Sequence, residues 1–252
     1  MRVLLVILVA SAAAACGDAS PSSSSDVGRA EKTVAPSSCG AGTTRRVGSA
    51  TTSYAAVVQR PTAAFRAPGS GRLAGFGTRN VNGVPTVFRV LAEQIAADCG
   101  AEWYRVQLPL RPNGSAGWVR AKDVELAPVT TRIEVDLSER RVTLFDRGRR
   151  VLSATAAVGS ARTPTPTGSY YVNQRLVPYD TGGPFGPGAI GISAFSEVLT
   201  GWTQGGPIAI HGTNRPQLIG QAISNGCIRI RNEMLHRLFA ASIGGTPVVI
   251  RA

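Results

Sequence analysis

Glycine and proline punctuate this chain so densely that long helices have almost nowhere to form. The 252 residues include 29 Gly and 16 Pro, crowded most between Pro164 and Pro207. Proline removes a backbone donor and glycine raises the entropic cost of any regular element, so both favour turns. Sustained apolar patterning at period 3.6 is scarce, whereas short alternating runs recur, the pattern of strands joined by turns. An apolar share of 43% allows a buried core. The expectation is a mostly β protein with room for about two small domains.

The N-terminus reads differently from the rest. Arg2 precedes an apolar run from Val3 to Ala15, the form of an export signal. The run is shorter than the roughly 20 residues that span a bilayer. It ends Ala13-Ala14-Ala15-Cys16-Gly17, which resembles the lipobox of bacterial lipoproteins and implies a lipid on Cys16. Ala13 departs from the Leu usual in that motif, and simple cleavage near Ala15 is the alternative. Residues 1–16 are therefore read as the signal segment and 17–40 as a Ser/Pro-rich linker with little to bury. The folded domains are expected at 41–128 and 129–252. The protein is expected to be exported to the cell envelope, lipid-anchored on the outer face of the cytoplasmic membrane.

The formal charge of +12 is almost wholly Arg, since only Lys32 and Lys122 are lysines. It is spread evenly: residues 129–252 carry 13 Arg against 7 acids, half of the excess. A nucleic-acid tail would be a block, so nucleic acid is not an expected partner. A solvated basic surface, or attraction to an anionic polymer or membrane face, accounts for the charge. Four cysteines separate by role. Cys16 belongs to the signal and Cys227 to a motif, leaving Cys39 and Cys99 as an expected disulfide in an exported protein. Pairing Cys227 with either would consume the thiol that its motif presents.

In the middle segment the clearest strand-like stretches are Ala55 to Val58, Thr86 to Leu91, Trp103 to Leu108 and Gly117 to Val119. The run Trp103 to Leu108, the turn Arg111-Pro112-Asn113-Gly114-Ser115 and the return Gly117-Trp118-Val119 resemble the end of a bacterial SH3-like barrel. Trp103 and Trp118 are read as core, with an aromatic face for wall glycan or peptide as the alternative.

From Thr131 the pattern sharpens. Ile133, Val135 and Leu137 alternate with polar residues, and Val142 to Asp146 return as a hairpin. Further strands are expected at Val151 to Gly159, Ser169 to Val172, Pro207 to Ile210 and Val248 to Ile250. One helix is expected from Asn232 to Ala241, capped by Asn232, with Leu235, Leu238 and Phe239 on its buried face. His236 falls on the surface of that helix. Tyr179 to Trp202 is long for a connection and reads as a lid, with Phe185 and Trp202 as its apolar contacts.

Three segments carry the chemistry: Thr163 to Gly168, Ile210-His211-Gly212-Thr213-Asn214, and Ser224-Asn225-Gly226-Cys227-Ile228-Arg229. Together they resemble the YkuD-type L,D-transpeptidase domain over about Thr131 to Arg251. The resemblance implies a β-sandwich or barrel-like catalytic domain that cross-links peptidoglycan stem peptides, needs no metal or cofactor, and is acylated by carbapenem-type inhibitors. The residue types make sense alone. A thiol reacts as thiolate, and an imidazole in reach can take its proton and later return it to a leaving amine. Cys227 is the expected nucleophile and His211 its base, fixed at the end of a strand. The resemblance adds that the Gly212 carbonyl holds the other imidazole nitrogen. Gly226, Cys227 and Asn225 are the expected oxyanion donors.

Most members carry His where Asn225 stands; the resemblance places the base upstream and makes Asn225 supportive. Arg229 can receive a stem-peptide carboxylate bidentately, or serve a structural ion pair. Thr213, Asn214, Ser224 and Trp202 join it as expected substrate contacts. The expected reaction is 3→3 cross-linking through a Cys227 thioacyl-enzyme. Its rivals are an L,D-carboxypeptidase, with water as acceptor, and a non-catalytic peptidoglycan-binding envelope lipoprotein.

Overall fold

The computed structural model of the chain describes residues 39–201, 204 and 206–252. The signal and most of the linker, Cys16 and Trp202 lie outside the described residues.

Residues 44–129 form one eight-stranded sheet. Its strands are β1 (Thr44–Arg46), β2 (Ser53–Val58), β3 (Thr62–Ala67), β4 (Ser70–Phe76), β5 (Val87–Ile95), β6 (Ala101–Gln107), β7 (Ala116–Arg120) and β8 (Val124–Val129). The order is β4-β3-β7-β6-β5-β2-β8, with β1 on β5. Alternation in β5 sends Phe88 and Val90 inward, where they meet Ala56, Val106 and Val119, and Ala92 is buried as well. Trp103 is buried, edge-on to Phe65 at 5.7 Å and under the Arg120 guanidinium at 4.7 Å. It is a core residue. Cys39 and Cys99 are disulfide-bonded.

Residues 131–251 form the second sheet, of nine strands. These are β9 (Thr131–Asp136), β10 (Arg141–Asp146), β11 (Arg149–Gly159), β12 (Gly168–Leu176), β13 (Ala189–Phe195), β14 (Pro207–His211), β15 (Ala222–Ser224), β16 (Ile228–Ile230) and β17 (Pro247–Arg251). The order β10-β9-β17-β12-β13-β14-β16-β11-β15, with β11 also pairing β10, closes the sheet on itself. Two long strands make closure feasible. β11 pairs β10 along its first half and β16 through Ala156 and Ala157; β12 pairs β17 first and β13 afterwards. Inside lie Ile133, Val135, Val172, Ile190, Ile210, Ile228 and Ile230. Each such side chain is stabilised by about 1.5–3 kcal/mol through burial.

Two expectations need correction here. Residues 189–195, read as part of a lid, are the interior strand β13, with Ala189 to Ala194 buried. Its Gly and Ser residues depress strand propensity, but burial on both faces overrides it. The one α-helix among the described residues, α1 (Asn232–Ala241), spans the expected residues, yet Arg231 holds the cap position and Asn232 does not cap it. Leu235 and Leu238 are buried, and His236 is exposed.

The two sheets touch through polar clamps. Asn113, in the turn between β6 and β7, both donates to the Phe195 carbonyl and accepts from the Phe195 N–H, each at 2.8 Å. Gln107 donates to the Ser169 carbonyl, and Arg111 to that of Ser196.

Candidate active site

The site is built on the outer face of β14 and β16, which run parallel with Ile210 opposite Ile228 and His211 opposite Arg229. One step back, this register sets Ala209 beside Cys227. Residues two apart in a strand share a face. Ile208, Ile210, Ile228 and Ile230 therefore fill the core, while Ala209, His211, Cys227 and Arg229 share the opposite side. Cys227 and His211 are diagonal neighbours across one ladder and share a face.

His211 is 3% exposed. Its Nδ1 lies 2.6 Å from the Gly212 carbonyl, which can only accept, so Nδ1 carries the hydrogen and Nε2 keeps its lone pair. The Phe185 ring covers the imidazole at 4.9 Å. Burial lowers the His211 pKa to about 4; the Gly212 bond opposes this and the Arg229 charge adds to it. Burial likewise pushes the half-buried Cys227 thiol up, against the Ala209 N–H and the Arg229 charge, which lower it. Both groups are thus neutral at rest, and the Cys227 thiol is directed to the Pro207 carbonyl at 4.0 Å.

The turn before Cys227 is held from two sides. Ser224 is 1% exposed; its hydroxyl donates to the Cys227 carbonyl at 2.5 Å and accepts the Gly226 N–H at 3.1 Å. Ser224 therefore shapes the turn and does not face substrate, and the Gly226 N–H, expected as an oxyanion donor, is already engaged. Gly226 itself is required at φ +107°, where a Cβ would also stand 2.9 Å from Ile208 Cδ1. Thr165, 4% exposed, accepts the Gly159 N–H at 2.9 Å and donates to the Gly226 carbonyl at 2.8 Å. That carbonyl belongs to the same peptide unit as the Cys227 N–H, so Thr165 fixes the direction in which this amide points.

The other expected residues divide. Arg229 is half-buried beside the pair, its Nε buried without a partner. Asn225 and Asn214 are exposed. Thr213 is buried: its N–H donates to Asn232 Oδ1 at 2.8 Å and its hydroxyl accepts from the Arg215 N–H at 3.0 Å, so it braces the segment after His211. Thr165 and Asn232 were missed as site residues. Thr165 lay inside a segment singled out by resemblance, but nothing local marks its partner as residue 226. Among the described residues, no three of His, Cys, Asp and Glu gather to hold a metal ion.

A sequence profile of the YkuD L,D-transpeptidase catalytic domain matches residues 130–250. YkuD of Bacillus licheniformis, a candidate L,D-transpeptidase, is 34% identical over 165 residues, covering 63% of this chain and 92% of that protein. Its Bacillus subtilis counterpart is 36% identical over 118 residues, 47% of this chain and 64% of that one. Among solved structures, a cysteine-to-serine variant of the Enterococcus faecium L,D-transpeptidase is 27% identical with a TM-score of 0.38, covering 48% of this chain. The match spans 49% of the enterococcal chain, about half its length. L,D-transpeptidase 3 of Mycobacterium tuberculosis, solved with a faropenem-derived adduct, is 18% identical with a TM-score of 0.40, covering 54% of this chain and 73% of that one.

Proposed function

The chain belongs to the YkuD-type L,D-transpeptidase family, and we propose that it forms 3→3 peptidoglycan cross-links through a Cys227 thioacyl-enzyme with His211 as base. The observation that carries the mechanism is the 2.6 Å bond from His211 Nδ1 to the Gly212 carbonyl, which leaves Nε2 as the acceptor on the face shared with Cys227. As substrate arrives, the thiol proton passes to His211 Nε2 and the sulfur attacks the carbonyl carbon of the third residue of a tetrapeptide stem. The Cys227 N–H, oriented through Thr165, receives the oxyanion. Collapse breaks the bond to the terminal D-alanine, whose amine takes the proton from His211. An amine of a neighbouring stem then attacks the thioester, giving up its proton through His211 and freeing the thiol.

Arg229, with one guanidinium nitrogen buried and unpaired, supplies a cation beside the nucleophile for a stem-peptide carboxylate. Carbapenems mimic the acyl donor and acylate the same thiol. The protein works in the envelope, tethered through a lipid on Cys16; the Cys39–Cys99 bond fits an oxidising compartment.

Incubation with a disaccharide-tetrapeptide, read by mass, tests this. Cross-linked dimer and released D-alanine are expected. Tripeptide without dimer would replace transpeptidation by carboxypeptidase action. Absence of any product together with absence of a carbapenem adduct on Cys227 would leave only a wall-binding role.

A further inference from the structure

The outer face that carries the site continues across β13 and β12, and the first sheet stands on it. Between them lies a cleft of about 430 Å³, within the range of small-molecule sites. Its floor reaches Pro207, whose carbonyl lies 4.0 Å from the Cys227 sulfur. Pro207 therefore borders both the cleft and the nucleophile, and the far wall comes from the first sheet.

The lining has a definite chemistry. Phe76, Val87, Pro109, Phe195 and Pro207 give flat apolar surfaces, and among the described residues Arg79 is the one charged side chain of the lining. The rest are largely carboxamides, held in a chain across the seam. Asn80 and Asn82 both donate to Gln174 Oε1, at 3.0 and 2.8 Å, and Gln204 donates to Asn82 Oδ1 at 3.1 Å. Asn173 lines the same cleft, and its Oδ1 is buried without a partner. Carboxamides both donate and accept, matching hydroxyl and acetamido groups, while a carboxylate-rich stem peptide would call for more cations.

From this lining we infer that the cleft is a subsite for an uncharged N-acetylated disaccharide of the wall glycan, held by the first sheet while its stem peptide reaches Cys227. The inference rests on the peptidoglycan reading above. It gives the first sheet a direct part in substrate choice.

Two measurements on the full chain test it. Addition of di-N-acetylchitobiose should shift the side-chain amide resonances of Asn80, Asn82, Gln174 and Gln204, whereas cellobiose, which lacks the acetamido groups, should not. If free tetrapeptide shifts them and the sugar does not, the cleft is a peptide subsite and the inference fails. In turnover, disaccharide-tetrapeptide should be preferred to free tetrapeptide in kcat/KM. Asn82→Ala and Gln204→Ala should each reduce that preference about fivefold, the worth of one hydrogen bond. Equal use of both substrates by the unaltered protein, or a preference that survives in both variants, would overturn the inference alone. Loss of all turnover and of the carbapenem adduct in the unaltered protein would instead bring down the enzymatic reading.

Discussion

At the scale of residues, the site turns on protons and on one peptide plane. With the His211 pKa at about 4 against an ordinary 6.5, the imidazole stays neutral, and so able to act as base, well into mild acid. Carbapenem acylation of Cys227 should hold down to about pH 5 and fall only as pH passes through about 4. A decline centred near 6.5 would contradict the buried-base geometry. The same shift links to stability. Between pH 6.5 and about 4 the unfolded chain binds the proton that folded His211 refuses, so stability rises with pH through this window. It is fully present above 6.5 and lost as pH falls. Thermal unfolding of His211→Gln should lack that part of the slope. His211→Ala should also abolish or strongly slow the Cys227 adduct, whereas exposed Asn225→Ala should do much less; the reverse would move the base. Thr165→Val removes the hydroxyl that orients the Cys227 amide. Acylation should slow about tenfold to a hundredfold, less than the loss of an oxyanion donor itself costs, because the Cys227 N–H remains. Alkylation by iodoacetamide needs no oxyanion site and should change little, and Thr165→Ser should restore acylation.

At the scale of elements, α1 contributes its first residue to the site. Asn232 leaves the cap position to Arg231 and holds the Thr213 amide, fixing the chain just beyond His211. Gly212 is packed so closely there that a Cβ would stand 2.3 Å from Asn232 Oδ1 and 2.9 Å from Pro187 Cδ. Asn232→Ala leaves a donor unpaired and should cost about 1–3 kcal/mol by denaturant unfolding, with slower acylation because the segment bearing His211 loosens. Unchanged acylation at reduced stability would confine Asn232 to a structural role. Strands rich in β-branched and aromatic residues, such as β9, β10 and the middle of β6, were legible from alternation. β4 (Ser-Gly-Arg-Leu-Ala-Gly-Phe) and β13 were not, because small residues hide the pattern and only burial by neighbours makes them strands. The three-residue β15 exists only because it pairs β11, and β16 only because β11 and β14 flank it.

At the scale of the whole molecule, the first sheet is braced by a covalent tie and by contacts with the second. The Cys39–Cys99 bond closes a loop with a sequence separation of 60. Its loss should lower stability by about 2–4 kcal/mol, visible as a drop in Tm when Cys39→Ser/Cys99→Ser is compared with the unaltered chain. The reciprocal Asn113–Phe195 pair fixes the end of β13 near the cleft and the strand that carries Ala209. Asn113→Ala should therefore lower kcat/KM for disaccharide-tetrapeptide more than it slows Cys227 alkylation by iodoacetamide.

The sequence by itself determined the β class, the thiol and imidazole proposed to do the chemistry, and the two short segments that present them. These are local properties: turn residues, alternation, and a nucleophile placed after a glycine that must adopt positive φ. Tertiary structure alone decided that β14 and β16 run side by side, that Ser224 and Gly226 spend their polar groups on the turn, and that Thr165 and Asn232 serve the site. Those contacts join residues up to about sixty positions apart. Their register follows from how a sheet closes around one buried core, which no short stretch of chain encodes.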